Sequence, residues 1–179
     1  MPMPTSAEMS ILFEENDLQL RQFIAEHKMT LKRRGISEED WTERSGEPIR
    51  DQIVQAFAII YGVAVDWREF DEDIVLLFGK MIPEQVEVEN TDEGLNVVYD
   101  GRSYSIPLSF SPKDRYITIR GFQSIVRDRY EVRLLEASYL SDTHEFVILP
   151  VTTWEELERS YPGKIGEVFR TIDDDLDFP

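Results

Sequence analysis

The chain has 179 residues, 41% of them hydrophobic, which is enough for one well-filled core but short for two, so we expect a single globular domain over residues 1–179. It has no cysteine, which excludes disulfides, thiolate nucleophiles and cysteine-based metal sites. Thirty-six acidic residues against 19 lysines and arginines give a net charge of -17, which repels nucleic acids and anionic membrane surfaces, so we expect neither as a partner.

The N-terminal part, about residues 1–82, is predicted to be helical. Apolar residues recur at intervals of three and four between Asp17 and Arg34, which predicts a helix that ends before Gly35. Residues 35–50 are polar and rich in turn-forming residues, which indicates a loop or a short helical turn. Pro48 then stands where a second helix would begin.

A third helix is predicted to start at a capping box formed by Asp66 and Glu69 and to end at Pro83. The spacing of its apolar residues indicates one buried face. That face is predicted to comprise Trp67, Phe70, Ile74, Leu77, Phe78 and Met81.

From about residue 84 to 150 the apolar period changes to two, which is typical of strands. Asp100 and Gly101 predict a two-residue hairpin turn that needs positive φ angles. Residues 112–129 fit either a helix or a strand, and the helix is favoured by Pro112, Asp114 and the apolar spacing. Two strands are predicted to follow, and the second is apolar enough to be central.

The C-terminal part is predicted to contain helices at about 152–172 and an acidic tail at 173–179. A capping box of Thr152 with Glu155, or of Thr153 with Glu156, is expected to open the first of these helices. The whole pattern predicts an α+β fold, with N-terminal helices followed by a mainly antiparallel sheet with interspersed and C-terminal helices.

The acidic residues are unevenly distributed along the chain. Residues 66–93 hold ten acids against two bases, whereas residues 94–154 are balanced. On a helix, the five carboxylates between Asp66 and Asp73 would fan across the solvent side instead of converging on an ion, so we predict no metal ligands. Two interpretations remain compatible: a solvated helix start, whose acids match the helix dipole, and a surface that faces a partner.

The predicted partner-binding patch combines this helix start with the polar connection before the second helix. Its residues are Glu38, Glu39, Asp40, Trp41, Glu43, Glu69, Asp71, Glu72 and Asp73. Trp41 lies among acids, where an aromatic side chain is either a plug over the core or an exposed anchor for a partner, and the plug is favoured.

Other candidate sites receive structural interpretations. His27 and His144 are the only histidines, and no local pattern gives either one a nucleophile or a second ligand. Arg127, Arg129 and Arg133 are expected to form internal ion pairs with neighbouring acids. The sequence contains no phosphate-binding or nucleophile-elbow motif, so we predict no catalytic residue and no cofactor.

The leading hypothesis is an acidic protein that binds a basic protein partner, such as an inhibitor or immunity-type protein that neutralises a basic toxin or nuclease. The N-terminus has no signal-peptide pattern and no apolar run is long enough to span a bilayer, so we expect a cytoplasmic location. One alternative is a metal-assisted hydrolase that uses carboxylates from separate elements. Another is a structural subunit that forms a homo-oligomer through an exposed strand.

Overall fold

The computed structural model describes residues 3–111 and 114–174, apart from the side chains of Glu38, Thr42 and Ser45. The helices are α1 (Ser6–Glu14), α2 (Asp17–Glu26), α3 (Lys28–Arg33), α4 (Glu38–Glu43), α5 (Ile49–Tyr61), α6 (Asp71–Gly79), α7 (Asp114–Val126), α8 (Val151–Ser160) and α9 (Ile165–Val168). The strands are β1 (Val63–Asp66), β2 (Val86–Thr91), β3 (Gly94–Tyr99), β4 (Arg102–Pro107), β5 (Tyr130–Leu135), β6 (Thr143–Pro150) and β7 (Phe169–Thr171). Single 3-10 turns cover Arg44–Gly46 and Glu136–Ser138.

The strands form two antiparallel sheets. The larger sheet has the order β1-β6-β5-β7, and the smaller one is the meander β2-β3-β4. Every strand pair within the described residues is antiparallel, and helices precede, interrupt and follow the sheets. The predicted α+β class is therefore confirmed.

The larger sheet separates two hydrophobic clusters because successive residues of a strand point to opposite faces. Val147 and Leu149 of β6 pack with α1, α2, α5 and α8 in what we call the helical cluster. Phe146 and Ile148 pack on the other face, with α6, α7 and the smaller sheet, in what we call the strand-side cluster. The alternation of β6 thus assigns each of its side chains to one of two packed layers.

Several predicted elements are confirmed. The turn between β3 and β4 has φ angles of 50° at Asp100 and 73° at Gly101, as a two-residue hairpin requires. Residues 114–126 form helix α7, and β6 lies between two other strands of its sheet. Pro112, part of the pattern that favoured this helix, lies outside the described residues.

The prediction for residues 66–70 is wrong. Asp66 is the last residue of β1, α6 begins only at Asp71, and Phe70 is its N-cap residue, so Asp66 and Glu69 form no capping box. Trp67 and Phe70, which the apolar spacing predicts on the buried helix face, are exposed. The four residues of β1 pair with β6 about eighty positions along the chain, and such a long-range partner overrides local helical spacing.

Other boundaries also differ from the predictions. The helix expected over 17–34 is divided at His27 into α2 and α3, and α1 precedes them with a capping box between Thr5 and Glu8. Helix α8 begins at Val151 with no side-chain cap, so neither predicted capping box exists there. The last predicted helix is only α9, and the strand β7 follows it directly. Residues 175–179 of the predicted acidic tail lie outside the described part of the chain.

Candidate functional site

The connection between β1 and α6 exposes two aromatic side chains. At its start, the side chain of Asp66 accepts a hydrogen bond from the backbone N–H of Arg68 at 2.9 Å, and its carbonyl accepts one from Glu69 at 3.1 Å. If the alternation of the strand continued, Trp67 would lie on the buried face. These hydrogen bonds turn the backbone away from the sheet at this position instead. As a result Trp67 is 55% exposed and Phe70 is 70% exposed.

A third exposed apolar side chain lies in the neighbouring connection, between the 3-10 turn at 136–138 and β6. The backbone N–H of Trp67 donates to the carbonyl of Asp142 at 3.1 Å, and Asp66 pairs with Thr143. Leu140, which is 83% exposed, belongs to this same connection. We call Trp67, Phe70 and Leu140 together the aromatic end. Single exposed hydrophobic residues are normal, but three at one end of adjoining strands are typical of a contact surface.

Carboxylates surround the aromatic end. Within residues 66–73 and at Asp142 there are six acids and one base, Arg68. The guanidinium of Arg68 lies 4.8 Å from the ring centroid of Trp67, where the face of the ring attracts a cation. The surface therefore combines a large apolar contact area with a strongly negative rim, and it would attract a positively charged molecule.

The predicted carboxylates of α6 differ in their availability. Asp71 accepts a hydrogen bond from the hydroxyl of Thr118 in α7 at 2.5 Å, so it links the starts of the two helices. Burial raises the pKa of Asp71, the bond from Thr118 opposes this, and the nearby charge of Asp114 adds to it. Glu69 is exposed, and Glu72 and Asp73 are partly exposed. The acids of this segment that a partner could contact are thus Glu69, Glu72 and Asp73.

The other half of the predicted patch, residues 38–43, lies on α4 and adjoins the helical cluster. The backbone N–H and the hydroxyl of Ser37 both donate to the carboxylate of Asp40, which lowers the pKa of Asp40 and fixes the start of the helix. Trp41 is only 9% exposed and packs in the helical cluster, so it plugs the core and is not available as an exposed anchor. Glu39 and Glu43 are exposed, and the side chain of Glu38 lies outside the described part.

A polar network inside the helical layer involves one of the two histidines. The Nε2 atom of His27 lies 2.8 Å from a carboxylate oxygen of Glu8, and the hydroxyl of Tyr61 donates to the same oxygen. Burial alone would raise the pKa of Glu8, but hydrogen bonds from Tyr61, Thr5 and His27 outweigh it and lower this pKa to about 2. The three side chains satisfy one another and join α1, α5 and the junction of α2 with α3, which favours a structural role.

The second histidine does not join this network. His144 is buried on the opposite face of the larger sheet, where its ring contacts Phe146 and its Nε2 atom lies 3.2 Å from the carbonyl of Tyr139. His27 contacts Phe23 of the helical cluster, whereas His144 contacts Phe146 of the strand-side cluster, so the fold does not assemble a site with two histidines.

Two of the three arginines, Arg129 and Arg133, form internal ion pairs, but only the Arg133–Glu131 pair joins the neighbouring residues that were predicted. Arg133 is buried against Glu131 and Glu158, with its guanidinium 4.3 Å from the ring centroid of Trp154. Arg129 pairs with Glu84 at 3.0 Å and with Asp100 at 2.9 Å. These contacts are typical of scaffold ion pairs and leave little capacity for a bound anion.

Trp67, Phe70 and Leu140 are the surface residues that the sequence reasoning missed. One signal was present: between Asp66 and Asp73 the only apolar residues are Trp67 and Phe70, and all their neighbours are charged. Their spacing of three matched a helical stripe, which directed the prediction to the wrong face.

Within residues 3–111 and 114–174, no group of three or more histidines and acids is arranged to hold a metal ion. None of the helices described is both long and apolar enough to cross a bilayer. Comparison of the chain with protein-family models, with curated proteins and with solved structures finds no match.

Proposed function

We propose that this chain is an acidic protein-binding protein that docks its aromatic end onto a basic protein. The observation that supports this proposal is the exposure of Trp67 and Phe70 within a rim of carboxylates. Tryptophan is enriched among the side chains that contribute most to binding energy at protein interfaces. Exposure of such large apolar side chains on a chain with a net charge of -17 is typical of a contact surface.

The two components of the surface have different roles in the proposed interaction. The acids Glu69, Glu72 and Asp73 accelerate encounter with a positively charged partner, an effect that salt screens. Burial of Trp67 and Phe70 then slows dissociation, since apolar contact contributes stability that salt does not remove. This division matches an inhibitor or immunity-type protein that covers the basic groove of a toxin or nuclease in the cytoplasm, where carboxylates take the place of substrate phosphates.

The test compares affinity capture by the tagged chain and by two variants under washes of low and high salt. Trp67→Ala removes the aromatic anchor, whereas Leu18→Ala removes an equally apolar side chain that is 65% exposed on α2. The proposal predicts that one basic protein is retained by the wild type and by Leu18→Ala, is weakened by high salt, and is lost with Trp67→Ala. Equal retention by Trp67→Ala and the wild type would contradict it.

A further inference from the structure

A cavity of about 380 Å³ lies beside the aromatic end, between the middle of α5 and the start of β6. Thr143 and Glu145 point into it because they share the face of β6 that Val147 and Leu149 use in the helical cluster. Glu145 pairs across the sheet with Ala64, whose methyl group is too small to cover the carboxyl. Gln55 and Ile59 of α5 form the opposite wall.

Two hydrogen-bond acceptors in this cavity have no partner within the described residues. The Oε1 atom of Gln55 is buried and receives no hydrogen bond from them. The carboxyl of Glu145 is partly buried, and burial raises its pKa with no cation to oppose the shift. The hydroxyl of Ser138 cannot donate to either one, because it donates to the carbonyl of Leu135 at 2.8 Å and accepts from the backbone N–H of Glu145. The cavity therefore presents one buried acceptor without a partner, Gln55 Oε1, and beside it the partly buried carboxyl group of Glu145.

Arg44 also lines the cavity but does not neutralise Glu145. Its guanidinium lies 5.6 Å from the ring centroid of Trp41, a cation–π contact. Burial is the sole cause of the shift in the pKa of Glu145, to which Arg44 makes no contribution. No cation of the described residues opposes the effect of burial on the pKa of Glu145, so a cation of a partner can supply the complementary charge.

The cavity and the aromatic end share one chain segment. Ser141 and Thr143 line the cavity, and the carbonyl of Asp142 between them accepts the N–H of Trp67. The hydroxyl of Thr143 also donates to the carboxylate of Asp66 at 3.2 Å. A protein docked on Trp67 would therefore lie against the chain segment that lines one side of the cavity.

We infer that this cavity receives one cationic side chain, an arginine or a lysine, of the basic partner, with the Glu145 carboxylate as its counter-charge and Gln55 Oε1 as a second acceptor. The inference rests on the proposed function, which supplies the basic partner. A guanidinium or ammonium group matches the site chemically because it offers only donors together with a positive charge.

The experiment titrates the full chain with ethylguanidinium and, separately, with n-butylammonium, and follows the side-chain amide of Gln55 and the backbone amide of Glu145 by NMR at pH 7. Neutral n-butanol is the control probe. We expect saturable shifts with at least one cation, smaller shifts with n-butanol, and an affinity about tenfold weaker in Glu145→Gln. Gln55→Leu, which keeps the charge, should weaken binding by a smaller factor. The relative affinity of the two cations distinguishes an arginine site from a lysine site.

The matched control is Glu156→Gln, which removes the same charge from an exposed position on α8 and should bind the cations like the wild type. Absence of saturable shifts with both cations, or equal affinity in Glu145→Gln and the wild type, would overturn the inference. Trp67→Ala should titrate like the wild type, because it leaves the cavity intact. If the cations fail to bind while capture still depends on Trp67, only the cavity assignment is wrong. If they bind while capture is independent of Trp67, the cavity binds cations but the proposed docking of a basic partner at the aromatic end is wrong.

Discussion

Two segments of the chain look alike in sequence and have opposite structures. Residues 37–47 and residues 66–73 each place a tryptophan among carboxylates. In the first segment Trp41 is 9% exposed, and in the second Trp67 is 55% exposed. The difference shows that the charge around a tryptophan does not determine whether it packs in the core or faces solvent.

The local conformation of the backbone determines instead whether each tryptophan is buried or exposed. Ser37 and Asp40 cap α4, and the resulting helical turn directs Trp41 toward the helical cluster. Asp66 ends β1 with a side-chain turn that carries Trp67 out of the sheet. The same residue type, aspartate, fixes both turns through hydrogen bonds to nearby backbone N–H groups.

Replacing Trp41 should have the largest effect on stability. Trp41→Ala removes a buried aromatic side chain, and we expect the free energy of unfolding to fall by about 3–5 kcal/mol. Urea denaturation followed by circular dichroism measures this change. A loss below about 1 kcal/mol would mean that Trp41 does not fill the core.

Replacing Trp67 should affect binding and leave stability nearly unchanged. Trp67 lies on an exposed turn, so the free energy of unfolding of Trp67→Ala should stay within about 0.5 kcal/mol of the wild-type value. Its affinity for the captured basic protein should fall by about 2 kcal/mol, or roughly 30-fold, by calorimetry. The reverse pattern, with stability lost and affinity kept, would remove the distinction between the two tryptophans.

The partly buried carboxylate of Glu8 should contribute to acid stability, whereas the exposed carboxylate of Glu156 should not. The pKa of Glu8 in the folded chain is about 2, below its ordinary value of 4.5. Its contribution to the free energy of unfolding is therefore complete above pH 4.5 and is lost as the pH falls toward 2. The difference in melting temperature between the wild type and Glu8→Gln should therefore be present at pH 6 and shrink toward zero near pH 2. A difference that stays constant over this range would exclude the Glu8 network as its source. Glu156→Gln, on an exposed position, should show no such trend.

The smallest expected effect concerns the acids at the aromatic end. The double variant Glu69→Gln/Glu72→Gln should slow association with the basic partner by about threefold at low salt, and the difference should vanish at high salt. Stopped-flow mixing measures both rates. The matched double variant Glu155→Gln/Glu156→Gln, which has the same net charge, should associate like the wild type. If both doubles slow association equally, the effect comes from total charge and not from this surface.

Local patterns of the sequence predicted the parts of the fold that local physics determines. The β3–β4 turn followed from the positive φ angles that Asp100 and Gly101 tolerate, and the central position of β6 followed from its continuous apolar run. Strands β1 and β7, with four and three residues, were missed because their stability comes from pairing with β6 and β5.

The candidate surface was only half predictable for the same reason. The acids Glu69, Glu72 and Asp73 are visible in the sequence as a charge cluster. The exposure of Trp67 depends on the end of β1, which depends in turn on a partner strand far along the chain. The cavity at Glu145 joins α5 to β6, and no local pattern places those elements side by side.

The most direct test of the account is site-specific photo-crosslinking in lysate. A photoreactive phenylalanine analogue is introduced at Phe70 in the aromatic end and, in a separate protein, at Leu18 on α2. We expect a crosslink to one basic protein from position 70, weakened by high salt, and none from position 18. Crosslinking of the captured protein from position 18 and not from position 70 would contradict the claim that the aromatic end is the docking surface.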